Sequence, residues 1–281
     1  MGKQLQDLVR AQEKNSGQRV YRIAVPVPKS DLEAAGYQPR RVQASSALVA
    51  RLSARLRGIL QAQDLQHGKP GMAGSRIARN RLHRIKTGEP RLFLRRHPAR
   101  MVNTAVHLLV DNSASMKDNH RFYKTREVVL ALTRALAPIR GVNLGMTVFP
   151  AIYRLNRHCS SSAIHVATVI AHGSRPGNDV LYPKLPNGHT PLSESLRYSA
   201  SAMLHLQEPR KIMVILTDGE PDDIDDAAIA VREAMDLNIE VVALGIEQLT
   251  YPDIFPRFEI VHSVQDLPEK TFCLLERLLS R

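Results

Sequence analysis

The chain has no tryptophan and only two cysteines in 281 residues, and aromatic side chains make up just 5% of it. Cys159 and Cys273 stand far apart and form no CxxC pair. They read as two reduced thiols in or near a core, not as a disulfide framework. The eleven histidines are scattered, with no HExxH or comparable spacing, which leaves no sign of a zinc site. No apolar run approaches the ~18 residues that a bilayer span requires. The opening stretch, "MGKQLQDLVRAQEKNSGQRV", lacks the apolar core of a secretory signal. Its Met-Gly start does not make a myristoylation signal, because Gln6 stands where serine or threonine is wanted. These absences lead to the expectation of a soluble, cytoplasmic protein.

What is there is the composition of an ordinary globular protein, 43% hydrophobic and 23% charged. The length suffices for one sizeable core plus an appendage, or for two small domains. The net charge of +12 is unevenly spread. Residues 1–103 carry 21 Lys+Arg against 6 Asp+Glu, a net of +15, whereas 104–281 carry 18 against 21, a net of −3. That asymmetry separates two functional regions.

Residues 1–43 are weakly patterned, with "VPVPKS" and "GYQPRR" as breakers, and read as an N-terminal arm with short structured pieces. Residues 44–103 form a basic region. Its first part, "ASSALVARLSARLRGILQAQD", places Leu48, Leu52, Leu56, Ile59 and Leu60 at helical spacing, with Ser45 or Ser46 as N-cap. From 104 the texture changes. "TAVHLLVD", "VNLGMTVFP", "KIMVILTD" and "IEVVALGI" are continuous apolar runs, with "RFEIVHS" a shorter one. Between and after them lie the helical patterns "YKTREVVLALTRALAPI", "PLSESLRYSASAMLHLQ", "DIDDAAIAVREAMDLN" and "LPEKTFCLLERLLSR". Residues 151–189 are less legible, with a strand or helix around "SAIHVATVIA". Unbroken apolar strands alternating with helices predict an α/β fold: a doubly wound, mostly parallel sheet with helices on both faces. In such sheets ligands bind where the carboxyl ends of the strands meet the loops. Both "VDNSAS" and "LTDGE" fall at such ends, which places Asp111 and Asp218 on one rim.

Taken alone, Asp111, Ser113 and Ser115 would make an ordinary polar turn or helix cap. A magnesium-class cation, however, takes hard oxygen ligands and usually keeps several waters. Two serines, two aspartates and Thr190 from "NGHTPLSESL", just before a helix, would supply them. The acids Glu220, Asp222, Asp223, Asp225 and Asp226 read instead as a solvated loop leading into a helix N-terminus, where negative charge is favoured.

Asp111-x-Ser113-x-Ser115 after the first strand, Thr190-Pro191 before a later helix, and "TDG" after a central strand together resemble the von Willebrand factor A domain with its metal-ion-dependent adhesion site (MIDAS). The resemblance covers 104–281. It implies a metal site of Asp111, Ser113, Ser115, Thr190 and Asp218, with Mg²⁺ (or Mn²⁺) as cofactor and an acidic residue of a partner protein as the missing ligand. It implies no catalysis. The usual form is Asp-x-Ser-Gly-Ser, so Ala114 departs from it; alanine serves unless the backbone there requires a positive φ. A narrower resemblance adds roughly 45–103. The arginine- and leucine-rich helix, "GSRIARNRLHRIKTGEPRLFLRR" and "LLVDNSASM" are similar to the C-terminal region of CobT-type cobaltochelatase subunits. Proteins of that kind work beside AAA+ ATPases of the MoxR or chelatase type, which implies an adaptor coupling an ATPase to a target. The long acidic stretch of CobT-type subunits is absent here.

Two other readings differ in class. The basic first third carries the electrostatic footprint of a nucleic-acid-binding surface, but the aromatics for base stacking are few, and an acidic protein partner is the preferred reading of this surface, on the resemblance more than on the charge. A serine hydrolase would use Ser113 or Ser115 as nucleophile. The chain has no GxSxG elbow, and no motif places His107 or His189 as base.

Overall fold

The structure is a computed structural model, and it describes residues 22–34, 36–41, 46–62, 70–71, 76–77, 93–94, 103–151, 164–177, 179–271 and 273. Most of the basic stretch 63–102, the tail of the closing helix and Cys159 lie outside the described residues, as do Ser45 and the side chains of Ile59 and Leu60.

In chain order the described elements begin with β1 (Val25–Pro26), α1 (Lys29–Ala34), β2 (Tyr37–Arg40) and α2 (Ser46–Ala62). Three two-residue strands follow, β3 (Pro70–Gly71), β4 (Arg76–Ile77) and β5 (Phe93–Leu94), which pair only with one another. Then come β6 (Thr104–Asp111), a 3₁₀ turn over Ala114–His120, α3 (Arg121–Leu136), β7 (Val142–Phe149), β8 (His165–Ile170) and β9 (Val180–Pro183). The chain continues through α4 (Leu192–Leu204), β10 (Arg210–Thr217), α5 (Ile224–Asp236), β11 (Ile239–Ile246) and β12 (Phe258–Val261). Residues 267–271 open the closing helix.

Seven strands form one sheet in the order β1-β8-β7-β6-β10-β11-β12. All neighbours run parallel except β7 and β8, which are antiparallel. The expected doubly wound α/β sheet is therefore present. Every residue of β6 is buried, as a central parallel strand covered on both faces must be. Alternation then sorts its side chains. Val106, Leu108 and Val110 join the core under α2 and α3, while Ala105 and Leu109 join that under α4 and α5.

The arm expected over 1–43 is more deeply engaged than an arm. In its described part, β1 extends the main sheet beside β8, and β2 makes an antiparallel pair with β9. Leu32 and Tyr37 are fully buried in the same core as β6. The apolar stripe of α2 also points inward, with Leu52 and Leu56 buried and Ser53 Oγ donating to Ala135 O of α3 at 3.0 Å. Burying those two leucines contributes about 3–6 kcal/mol by area. Residues around "SAIHVATVIA" resolve as the strand β8; it lies in the sheet interior between β1 and β7. The helix expected from Tyr123 starts at Arg121, directly after the 3₁₀ turn, and ends at Leu136, ahead of Pro138.

Chain order and sheet order together fix where a ligand can sit. From β6 the chain moves outward through β7 and β8, then returns to β10 on the other side of β6 and moves the opposite way through β11 and β12. The winding reverses between β6 and β10, so the crevice at their carboxyl ends is the topological switch point. Val110 is in register with Leu216, which brings Asp111 level with Thr217 and sets Asp218 one step beyond.

Candidate metal site at the switch point

Asp111 is fully buried at the end of β6. One of its oxygens, Oδ1, accepts the Ser113 backbone N–H at 2.8 Å, an Asx turn that curls the next loop back over the strand end. The other, Oδ2, accepts the Thr217 hydroxyl at 2.6 Å. Ser113 Oγ and Ser115 Oγ lie 2.9 Å apart, so the two hydroxyls of the motif share one spot. Ala114 opens the 3₁₀ turn and is not among the residues with positive φ. Nothing in its backbone calls for glycine, and alanine fits without strain.

Thr190 reaches this rim because its loop is stapled to the first one. Ala114 N donates to Gly188 O at 3.0 Å, and Asn187 N donates to Asn112 O at 2.8 Å. Asp222 clamps the same loop from the other side. Its Oδ1 accepts Thr190 N at 2.9 Å, and its own N–H donates to Thr190 O at 3.1 Å. The acids after β10 are thus divided in their tasks. Asp223 caps α5 by accepting from Asp226 N. Asp226 and Glu233 grip Arg197 at 2.7–2.9 Å. Only the cap at Asp223 is the role expected of the acidic run; Asp222 and Asp226 are tied to Thr190 and Arg197 and do not form a solvated loop.

Asp218 is fully buried as well. The sharp exit of the chain behind it depends on Gly219, at φ 81°, where an added Cβ would lie 2.8 Å from both Leu249 Cδ1 and Thr250 N. Asp218 Oδ2 faces Arg121 Nη1 at 3.3 Å, while Asp218 Oδ1 is buried without a hydrogen-bond partner. Burial, first, and the neighbouring Asp218 charge, second, push the Asp111 carboxyl up to about 7, against the opposing pull of Thr217 and Ser113. Two buried carboxylates whose charges repel favour a cation beside them, and Arg121 is the one present among the described residues.

Among the described residues no three histidine, cysteine or acidic side chains converge as a metal-binding group. The donors at this rim are instead two carboxylates among hydroxyls, a set that suits a hard divalent ion of the magnesium class. Asp218 Oδ1, a buried acceptor with no donor, fits such an ion as well. Of the five residues singled out by sequence, hydrogen bonds link Asp111, Ser113 and Ser115 to one another. Asp218 joins them through its charge and through Thr217 beside it, and Thr190 joins through the stapled loops. Sequence reasoning missed Thr217, Asp222 and Arg121. For Arg121 a signal existed: α3 opens on a cation and has no acid in its first turn, against the preference of the helix dipole.

A doubly wound sheet with carboxylates and hydroxyls crowded at its switch point defines a class of α/β ion- and ligand-binding domains. Residues 105–258, more than half of the chain, match the von Willebrand factor type A domain, and the chain belongs to that family. It is also similar to "Uncharacterized protein YojO" of Bacillus subtilis (strain 168), 25% identical over 284 aligned residues that take in 92% of this chain and 44% of YojO. The chain thus spans less than half the length of that curated relative. Among solved structures it is similar to manganese-loaded Plasmodium vivax TRAP protein, at 17% identity and TM-score 0.46, covering 61% of this chain and 74% of that one. A second is proximal thread matrix protein 1 from the mussel byssus, with a zinc-occupied MIDAS motif, at 15% identity and TM-score 0.47, covering 62% and 47%. A third is the conserved hypothetical protein BatB from Bacteroides thetaiotaomicron, at 12% identity and TM-score 0.44, covering 63% and 100%. No helix among the described residues is long and apolar enough to cross a membrane.

Proposed function

We propose that this protein is a metal-dependent protein-interaction adaptor that binds an acidic residue of its partner through a divalent ion. Ser113, Ser115 and Thr190 offer hydroxyl ligands to Mg²⁺ (or Mn²⁺), while Asp111 and Asp218 hold it mainly through bound water. The observation that carries this reading is the pair of fully buried aspartates beside the two motif serines, with Asp218 Oδ1 left without a partner. The charges agree with it. Two aspartates and Arg121 sum to −1, so a divalent ion turns the rim to +1, and one carboxylate from a partner neutralises it.

The reading is of a binding module, not of an enzyme. Ser113 and Ser115 face each other. His107 lies four residues before Asp111 along β6, about 13 Å at strand rise, and is engaged with His172. The similarity of 45–103 to CobT-type subunits supports a partner of the MoxR/chelatase-type AAA+ ATPase class.

Affinity capture with Mg²⁺ present, followed by elution with EDTA, tests the proposal. A partner released by EDTA and not captured by Asp111→Ala is the expected result, and an AAA+ ATPase in that eluate supports the adaptor role. Capture that survives both EDTA and Asp111→Ala, but is lost at high salt or on deleting 1–103, overturns the reading in favour of the basic first third.

A further inference from the structure

Arg121 sits where no solvated arginine needs to be. Its side chain is 8% exposed, its guanidinium faces Asp218 Oδ2 at 3.3 Å, and its Nε is buried without a hydrogen-bond partner. It occupies the first position of α3, where the helix dipole disfavours a cation, and no acid in that first turn compensates. The residue before it, His120, takes a left-handed backbone (φ 60°) at the junction between the 3₁₀ turn and the helix. A non-glycine residue adopts that conformation at a cost. Together these features hold a cation against a buried carboxylate of the candidate metal site.

We propose that Arg121 is the built-in counter-cation of this site, a positioning residue that balances Asp218 when no ion is bound and weakens the ion's binding. This inference rests on the metal-site reading above and adds to it a regulator of occupancy. Without a cation, two buried carboxylates would face each other in a dry pocket, and the metal would be required for folding. With Arg121 in place the metal-free domain keeps one of them paired. The ion then has to bind beside a resident positive charge and compete with it for Asp218, which lowers affinity and makes loading reversible. The site becomes an exchangeable switch rather than a structural metal.

The test is Mn²⁺ titration of the full chain, followed by calorimetry and by the loss of the free-ion electron paramagnetic resonance signal, for wild type, Arg121→Met and Arg121→Gln. All three are purified with Mn²⁺ and then stripped with EDTA. Gln keeps a hydrogen-bond donor for Asp218 without its charge, so it serves where Met fails to fold. Both variants should bind Mn²⁺ about tenfold or more tightly than wild type. Both should also melt at lower temperature than wild type in EDTA, and regain most of that difference in saturating Mn²⁺. Affinity unchanged within about threefold, or weakened, in a variant with the wild-type circular dichroism spectrum overturns the role of Arg121. If wild type and both variants all fail to take up Mn²⁺, the metal-site reading itself falls.

Discussion

Strand β6 carries two buried polar residues four positions apart, and they have opposite surroundings. Asp111, at the carboxyl end, feels the charge of a second buried carboxylate, Asp218, and accepts hydrogen bonds from the Ser113 backbone and the Thr217 hydroxyl. His107, mid-strand, starts a chain of hydrogen bonds. Its Nδ1 lies 3.0 Å from His172 Nε2, His172 Nδ1 lies 3.3 Å from Asn143 Oδ1, and Asn143 Nδ2 donates to Glu208 Oε1 at 2.8 Å. His172 fits there because position 145 is glycine; a Cβ would come within 2.4 Å of its ring. The chain from His107 ends on the Glu208 carboxylate, and what it leaves unpartnered is the uncharged His107 Nε2. The cluster at Asp111 leaves a buried charge open. Burial of a polar residue therefore does not separate the two clusters; like charge gathered at a strand end does, and the proposed metal site uses it.

The two clusters can be separated by mutation. The largest effect falls on Asp111→Ala, which should lose divalent-ion affinity on the order of 100-fold with an unchanged far-UV circular dichroism spectrum. His107→Leu, by contrast, should leave Mn²⁺ affinity unaltered when measured by the same titration. The pH response of stability sharpens the contrast. Burial, and then the His172 charge, hold the His107 imidazole down at about 3, whereas an unfolded chain takes up that proton near 6.5. Between these values the unfolded state binds more protons, so stability is full above pH 6.5 and falls as pH drops. The slope approaches about 1.4 kcal/mol per pH unit. Because the raised Asp111 carboxyl contributes a slope of opposite sign, the test is the difference between two chains: in urea melts at pH 4.5 and 7, wild type should lose more stability on acidification than His107→Leu.

Smaller effects test the packing of the rim. Thr217→Val removes the hydroxyl that holds Asp111 Oδ2 at 2.6 Å. It should cost about 1–2 kcal/mol in chemical denaturation and lower Mn²⁺ affinity by less than the Asp111 variant does. Ala114→Gly restores the usual motif at a position without positive φ, and should lower stability by about 0.5–1 kcal/mol, read as a small drop in melting temperature. A gain in stability there would contradict the 3₁₀ backbone described for the loop.

The sheet was readable because its evidence is local. The runs "TAVHLLVD" and "KIMVILTD" are strands wherever they pack, and the order of elements alone sets Asp111 and Asp218 on one rim. What escaped the sequence depends on contacts between distant segments. "VPVP" and "GYQPR" look like breakers, yet β1 and β2 pair with strands some 140 residues later. Residues 180–183 are a strand only because β2 lies beside them. The motif residues announced themselves by spacing. Asp222 and Arg121 follow no motif, and Thr217 stands inside "TDG" without a role that spacing could show; all three act through a partner on another segment.

The central claim is that the crevice between β6 and β10 holds a divalent ion. Anomalous diffraction from crystals grown with Mn²⁺ tests it most directly. One strong peak is expected, bounded by the oxygens of Ser113, Ser115 and Thr190, with Asp111 and Asp218 around it. No peak there, or a peak only along the acids 220–226, would contradict it.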